Sequence, residues 1–337
     1  MVKVAVVGVG YWGPNFVRIM DELQEAELAI VCDSDSSKFE RLSVLYPHLK
    51  FTDDLESVLS DKSIDAAVIA TGSNSHFDIA RRCLLGDKHV LVEKPLALRS
   101  SDAEEIVKMA VERDRVLLVG HLLRYHKGVE KLKTYIDEGY LGKILYIYTS
   151  RVNLGRVRKD ESALWSLATH DVSVVNYLLG KQPDYVTASG QAYVREGVHD
   201  VVFTTMHFSD NVMAHLHVSW LDPHKIRKIT VVGDKKMAVL DDMQATEKLR
   251  IYDKGIDFTP SYGDYGESLS IRIGDIHIPK IDMVEPLKVE CQHFIDCILR
   301  GAEPLTGGKC GLEVVRVLEA ADKSLEEKSR AIRVGEE

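Results

Sequence analysis

Val2-Lys3-Val4-Ala5-Val6-Val7 runs directly into Gly8-Val9-Gly10-Tyr11-Trp12-Gly13. The first six residues are nearly all apolar, as in a strand covered on both faces. The next six place three glycines at the spacing of a phosphate-binding turn. Gly8 permits the tight turn, Gly10 lets backbone approach a pyrophosphate, and Gly13 lets a helix pack closely on the strand. Pro14–Leu23 reads as that helix, whose free N–H groups suit an anion.

Outward from this turn, strands and helices alternate. Glu27–Cys32, Ala66–Ala70, Val90–Val92 and Val116–Val119 read as strands, with a short extended piece at Phe51. Ser37–Leu45, Leu55–Leu59, Phe77–Leu85 and Ser101–Glu112 read as helices between them. This order specifies βαβ units and a parallel sheet. The pattern changes near residue 122. Gly128–Glu138 and Trp165–Leu179 read as helices, and Ile144–Val152 as a long strand. Val201–Phe208, Met213–Trp220 and Ile229–Val232 alternate with period two, which predicts antiparallel pairing. Asp253–Pro279, rich in Gly, Tyr, Asp and Ser, reads as a long excursion. Pro286–Leu299 and Gly311–Leu325 read as closing helices. The expected fold class is α/β. A doubly wound parallel sheet spans 1–121, and an α+β domain with a large open, mainly antiparallel sheet spans 122–337.

Length and composition fit two soluble domains: 337 residues, 45% hydrophobic and 28% charged. A net charge of −9 argues against a nucleic-acid partner held by a basic surface. No apolar run approaches membrane-spanning length, and the N-terminus lacks a secretory pattern. The five cysteines are odd in number and scattered, so the expectation is reduced thiols and a cytoplasmic setting.

Asp33 falls twenty residues after Gly13, at the end of the second strand. A carboxylate there can bind ribose hydroxyls and repel a 2′-phosphate. No arginine follows it immediately, so the expected cofactor is NAD rather than NADP.

Two segments suggest proton chemistry. Glu93-Lys94-Pro95 ends a buried strand on the side where such sheets bind ligands. An oxidised nicotinamide nearby, together with desolvation, would favour the neutral lysine amine. That amine could hydrogen-bond a substrate hydroxyl or move its proton. An isolated Glu-Lys-Pro would instead read as a solvated lysine before a turn. The second segment holds His170. At helical spacing Ser166, His170, Ser173 and Tyr177 form one polar stripe beside an apolar stripe of Leu164, Ala168, Val172, Val175 and Leu179. His170 is suited to accept an alcohol proton, or equally to be a hydrogen-bonded structural histidine. Asp171 points elsewhere on the same helix.

Other polar groups are less specific. Arg151, Asn153, Arg156, Arg158 and Lys159 could meet a diphosphate or carboxylate, or form a solvated loop. His121, Arg124, Tyr125 and His126 sit at the expected domain junction. His215 and His217 alternate on one strand face without acidic or thiol partners, so no metal site is expected. Trp220-Leu221-Asp222-Pro223-His224-Lys225-Ile226-Arg227 is unusual and suggests no chemistry by itself.

Together these motifs resemble the Gfo/Idh/MocA oxidoreductase family along essentially the whole chain. The carriers are the Gly8–Gly13 turn, Ala70-Thr71 followed by His76, Glu93-Lys94-Pro95-Leu96-Ala97, and the His170 helix. The resemblance implies an N-terminal Rossmann domain, an open C-terminal sheet that often joins subunits into homodimers or homotetramers, and NAD(P)-linked chemistry on sugars or cyclitols. It implies catalytic roles for Lys94 and His170. It places Gly8, Gly10, Tyr11, Trp12, Gly13, Asp33, Thr71, Ser73, His76, Glu93, Lys94 and Trp165 along the cofactor. It places Tyr125, Arg156, Arg158 and Ser166, with Lys94 and His170, at the substrate. Ser166 stands where many members carry aspartate. A hydroxyl can orient an imidazole but cannot stabilise imidazolium as a carboxylate does, which shifts proton transfer toward Lys94. Gly10–Asn15, Leu164–Asp171 and Val218–Pro223 resemble the nucleotide-sugar branch, whose members oxidise C3 of UDP-N-acetylglucosamine or its uronate. The alternatives are a free-sugar or inositol dehydrogenase and a catalytically silent NAD-binding regulator.

Overall fold

The computed structural model describes residues 1–155, 157–159, 161–259 and 268–336. Its contacts divide the chain into two compact units, Met1–Tyr125 with Val284–Arg316, and His126–Met283 with Val317–Glu337.

The first unit is built on strands β1 (Val2–Val7), β2 (Ala26–Cys32), β3 (Lys50–Thr52), β4 (Ala66–Ile69), β5 (His89–Glu93) and β6 (Leu117–Gly120). They pair in parallel in the order β3-β2-β1-β4-β5-β6. The order reverses between β1 and β4, which opens a ligand crevice at the strands' C-terminal ends. Helices α1 (Gly13–Glu22), α2 (Phe39–Leu45), α3 (Leu55–Ser60), α4 (His76–Leu85) and α5 (Ser100–Glu112) connect them. Every residue of β4 and β6 is buried, as expected for a sheet covered on both faces. Phe16, Ile19 and Met20 of α1 join Leu91 and Leu118 in one core.

The second unit contains α6 (Lys127–Asp137), β7 (Ile144–Leu154), a π-helical turn (Leu164–Ala168), α7 (Thr169–Leu179), β8 (Tyr185–Gln191), β9 (Val201–Phe208), β10 (Val212–Ser219), β11 (Leu221–Gly233), β12 (Met237–Asp241), β13 (Leu249–Thr259) and β14 (Ser268–His277). With β15 (Ile332–Arg333) they form a sheet in the order β14-β13-β12-β11-β7-β10-β9-β8-β15. β7 and β10 pair parallel, and the other neighbours pair antiparallel. One face buries Ile147, Thr149, Arg151, Val202, Met206, Ala214 and Leu216. The opposite face leaves Tyr146, Tyr148, Phe203 and Met213 exposed, and His215 and His217 stack on the Phe203 ring.

The expected excursion at Asp253–Pro279 is largely a β13–β14 hairpin, because Ile256, Ile271 and Ile273 alternate with polar residues across paired strands. The chain also returns to the first unit at Val284. There α8 (Pro286–Arg300) places Leu287, Cys291, Phe294 and Ile295 in the core shared with α1. A single cut at 121/122 does not express that return. The final helix, α9 (Gly308–Glu326), runs through the 316/317 boundary between the units.

Candidate active site

The glycine turn of the first unit has the geometry its sequence predicts. Gly8 has φ +93°, and a Cβ there would lie 2.7 Å from the Thr71 nitrogen. A Cβ on Gly13 would lie 2.0 Å from the Gly8 carbonyl oxygen, so only hydrogen lets α1 sit so close to the turn. A Cβ on Gly10 would meet nothing within 4 Å, the open space that a close-approaching pyrophosphate needs. No side chain caps the start of α1; Pro14 has no N–H, and the Asn15 N–H donates to the Trp12 carbonyl at 3.0 Å. These features fit a dinucleotide. Tyr11 is almost fully exposed, and Trp12 is half-buried.

Asp33 ends up tied more tightly than the sequence suggests. Its carboxylate accepts the Val9 N–H at 2.8 Å and the Asp35 N–H at 3.0 Å. Lys38 Nζ sits 2.9 Å from the same group. Burial pushes the carboxyl up, but these bonds outweigh it and hold it below its ordinary value. Asp33 therefore fixes the glycine turn. Lys38, five residues on, is a cation that the sequence reading did not consider.

The loop after β4 carries Thr71, whose hydroxyl accepts from Ser75 Oγ at 2.8 Å, and Ser73 begins a short 3-10 turn. His76 is 1% exposed, and its Nδ1 donates to the Pro95 carbonyl at 2.7 Å. It ties the β4 loop to the Lys94 turn. Lys94 is half-buried at the end of β5, and its backbone N–H donates to Glu93 Oε2 at 3.1 Å. Burial drives the Glu93 carboxyl up to about 7, although Lys94 pulls it down. Tyr125 is 4% exposed, with its hydroxyl 3.0 Å from Thr306 Oγ1 and its ring against His293, both within the first unit.

In the second unit α7 is buried on nearly every side, not only along one stripe. His170, Tyr177 and Leu179 are half-buried exceptions. Ser166 lies in the π-helical turn that precedes α7, so the expected uniform α-helical spacing to His170 is interrupted. Such turns often occur at functional sites. Trp165 is 8% exposed and donates its indole N–H to Asp322, which satisfies the group expected near the cofactor from within the same unit. Arg151 donates to Asp171 through Nε at 2.8 Å and Nη2 at 3.0 Å. Arg158 pairs with the buried Glu161 at 2.7 Å, and Arg156 lies outside the described residues.

A sheet in this order with this glycine turn defines a dinucleotide-binding domain. Residues 2–121 match the model of the oxidoreductase family with an NAD-binding Rossmann fold, and residues 129–239 match the GFO/IDH/MocA C-terminal domain. The chain belongs to the Gfo/Idh/MocA oxidoreductase family, and its first unit carries an NAD-binding Rossmann domain.

An uncharacterized oxidoreductase of Streptococcus pneumoniae is 29% identical over 232 residues, 64% of this chain and 62% of the relative. A 2,7-anhydro-N-acetylneuraminate hydratase of Mediterraneibacter gnavus is 28% identical over 63% of this chain and 60% of its own length. The matches thus span under two thirds of these two relatives. A myo-inositol 2-dehydrogenase of Thermotoga maritima is 24% identical over 99% of both chains. A UDP-N-acetylglucosamine 3-dehydrogenase of Acidithiobacillus ferrooxidans is 25% identical over 93% of this chain and 94% of that one. A solved structure from Magnetospirillum magnetotacticum is 29% identical, with TM-score 0.81, covering 95% of this chain and 99% of that one. Among the described residues, no helix is long and apolar enough to cross a membrane.

Proposed function

We propose that the protein is an NAD-dependent sugar dehydrogenase acting at a ring hydroxyl, with C3 of a UDP-linked amino sugar as the preferred reading. The observation that carries it is the buried Glu93 beside half-buried Lys94 at the mouth of an NAD-binding sheet. The cofactor, when bound, supplies the hydride acceptor. The Gly8–Gly13 turn and the α1 start hold its pyrophosphate, and Asp33 holds its ribose. Trp12, Thr71 and Ser73 line its path.

Lys94 of the first unit and His170 of the second are the residues to which the family resemblance gives proton-handling roles. A neutral lysine amine can accept a hydroxyl proton, and an imidazole can orient a hydroxyl. Ser166 steadies the imidazole without adding charge. The relative that acts on UDP-N-acetylglucosamine supports the nucleotide-sugar reading, since the match spans nearly the whole of both chains. The equally complete match to a myo-inositol 2-dehydrogenase supports a free cyclitol as the second reading. The exposed sheet face around Tyr146, Tyr148, Phe203 and Met213 supports self-association as a homodimer or homotetramer.

Stopped-flow NADH formation with UDP-sugars and free cyclitols tests the assignment. Lys94→Ala should lower kcat at least a hundredfold while NAD affinity stays within threefold. Unchanged turnover would remove Lys94 from the mechanism.

A further inference from the structure

The segment Trp220–Arg227 gains a role from the way β11 leaves register with β7. Leu221 pairs with Leu154 and Ile226 with Val152, so Asp222–Lys225 bulge out opposite Asn153. A bulge of this kind re-aims the residues that follow it. Here it sets Arg227 directly across from Arg151. Cross-strand partners share a face, and Arg151 reaches Asp171 of α7 on that face.

Arg227 Nη1 donates to the carbonyls of Val152 and Ile226, each at 2.8 Å. Nη2 donates to Asn153 Oδ1 at 2.6 Å. All three acceptors are neutral, and no described residue accepts from Nε. Arg151 is different, because Asp171 takes two of its N–H groups. Burial and the Arg151 charge hold Arg227 below its ordinary value, with Asp171 and Asp242 opposing. A guanidinium nevertheless stays charged. Two neighbouring cations thus face one bonded carboxylate beside the helix that carries His170. A half-buried guanidinium held by neutral acceptors gains most from an anionic oxygen.

We propose that Arg227, steadied by Asn153, is an oxyanion-binding determinant of the substrate site. It takes a phosphate or carboxylate oxygen of the sugar through N–H groups that Val152, Ile226 and Asn153 leave available. The proposal rests on the reading that this helix face receives the sugar, and it narrows the substrate class to anionic sugars.

The test compares the full-length, NAD-loaded protein with Arg227→Gln and Arg227→Lys. Kinetics are measured on UDP-N-acetylglucosamine, its uronate and free myo-inositol. Arg227→Gln should raise KM for the nucleotide sugars at least tenfold, with kcat and NAD affinity within threefold. Arg227→Lys should recover part of the loss. A rise confined to the uronate assigns the carboxylate, and a rise on both assigns the diphosphate. An equal KM on all nucleotide sugars, or the same rise on myo-inositol, overturns the proposal. If the parent oxidises no nucleotide sugar, the nucleotide-sugar reading fails separately. Calorimetric titration with UDP and with glucuronate then decides the anion site. A tenfold loss in Arg227→Gln sustains it, and equal binding, or none by the parent, overturns it.

Discussion

The guanidinium of Arg151 and the carboxylate of Asp171 meet through two parallel bonds, Nε to Oδ2 at 2.8 Å and Nη2 to Oδ1 at 3.0 Å. The pair fastens the first turn of α7 to β7. His170 is the residue before Asp171, so it projects about 100° around the helix from the pair. The ion pair therefore fixes the rotation of the helix that carries the imidazole.

Breaking this pair should be costly, because its side chains are only 11% and 1% exposed. Asp171→Ala leaves a buried guanidinium uncompensated and should lower stability by about 3–5 kcal/mol in urea unfolding. Adding Arg151→Met should restore a large part of that loss. Additive losses in the double variant would contradict a coupled pair.

The three glycines of the turn should separate into two behaviours. Gly13→Ala collides with the Gly8 carbonyl at 2.0 Å and should lower the thermal midpoint. Gly10→Ala meets no protein atom within 4 Å. It should therefore fold as the parent does, yet lose at least tenfold in NAD affinity by calorimetry. Parent-like NAD binding by Gly10→Ala would mean that the pyrophosphate does not approach there.

Lys38 beside Asp33 sets up a cofactor switch. With the carboxylate removed, the Lys38 amine is left to meet a 2′-phosphate. Asp33→Ser should reduce the NAD to NADP ratio of kcat/KM by at least tenfold. Adding Lys38→Ala should abolish the gain on NADP. An NADP gain that survives the second change would assign it to lost repulsion alone.

Glu93 gives a signed pH effect. Burial raises its carboxyl from 4.5 to about 7, so the native state keeps a proton that the unfolded chain releases between those values. Stability from this group is thus lost as pH rises through that window and is level above it. Glu93→Gln removes the slope. Relative to the parent it should gain roughly 3 kcal/mol between pH 4.5 and 7. His121, which burial holds well below 6.5, contributes a slope of opposite sign below that pH, but in both proteins. A difference that stays flat with pH would mean that Glu93 titrates normally.

The parallel sheet was legible because strands buried on both faces read as continuous apolar runs, as in Val2–Val7 and Val90–Val92. The β8 and β12 strands were not, because Tyr185–Gln191 holds Thr, Ser and Gly, and Met237–Asp241 is only five residues long. The glycine turn and Asp33 could be read from spacing alone. The second tie of Asp33, to Lys38, depends on how the loop folds back and has no spacing rule. Tyr125, His76 and Trp165 each bond a partner in their own unit, Thr306, the Pro95 carbonyl and Asp322, and no spacing in the sequence announces those partners. The Arg151–Asp171 bond needed tertiary structure, since the two residues stand twenty positions apart on different elements. Arg227 could have been found only by knowing where β11 slips.

Because α8 supplies Leu287, Cys291, Phe294 and Ile295 to the core around α1, a nascent chain cannot complete its nucleotide-binding unit when residue 125 leaves the ribosome. The part of α1's apolar side that α8 covers waits while 158 intervening residues (126–283) are translated and begin to fold. Closure of the first unit thus waits for residues 284–316, and a fragment ending near residue 125 would present a sticky flank to any chaperone or neighbouring chain.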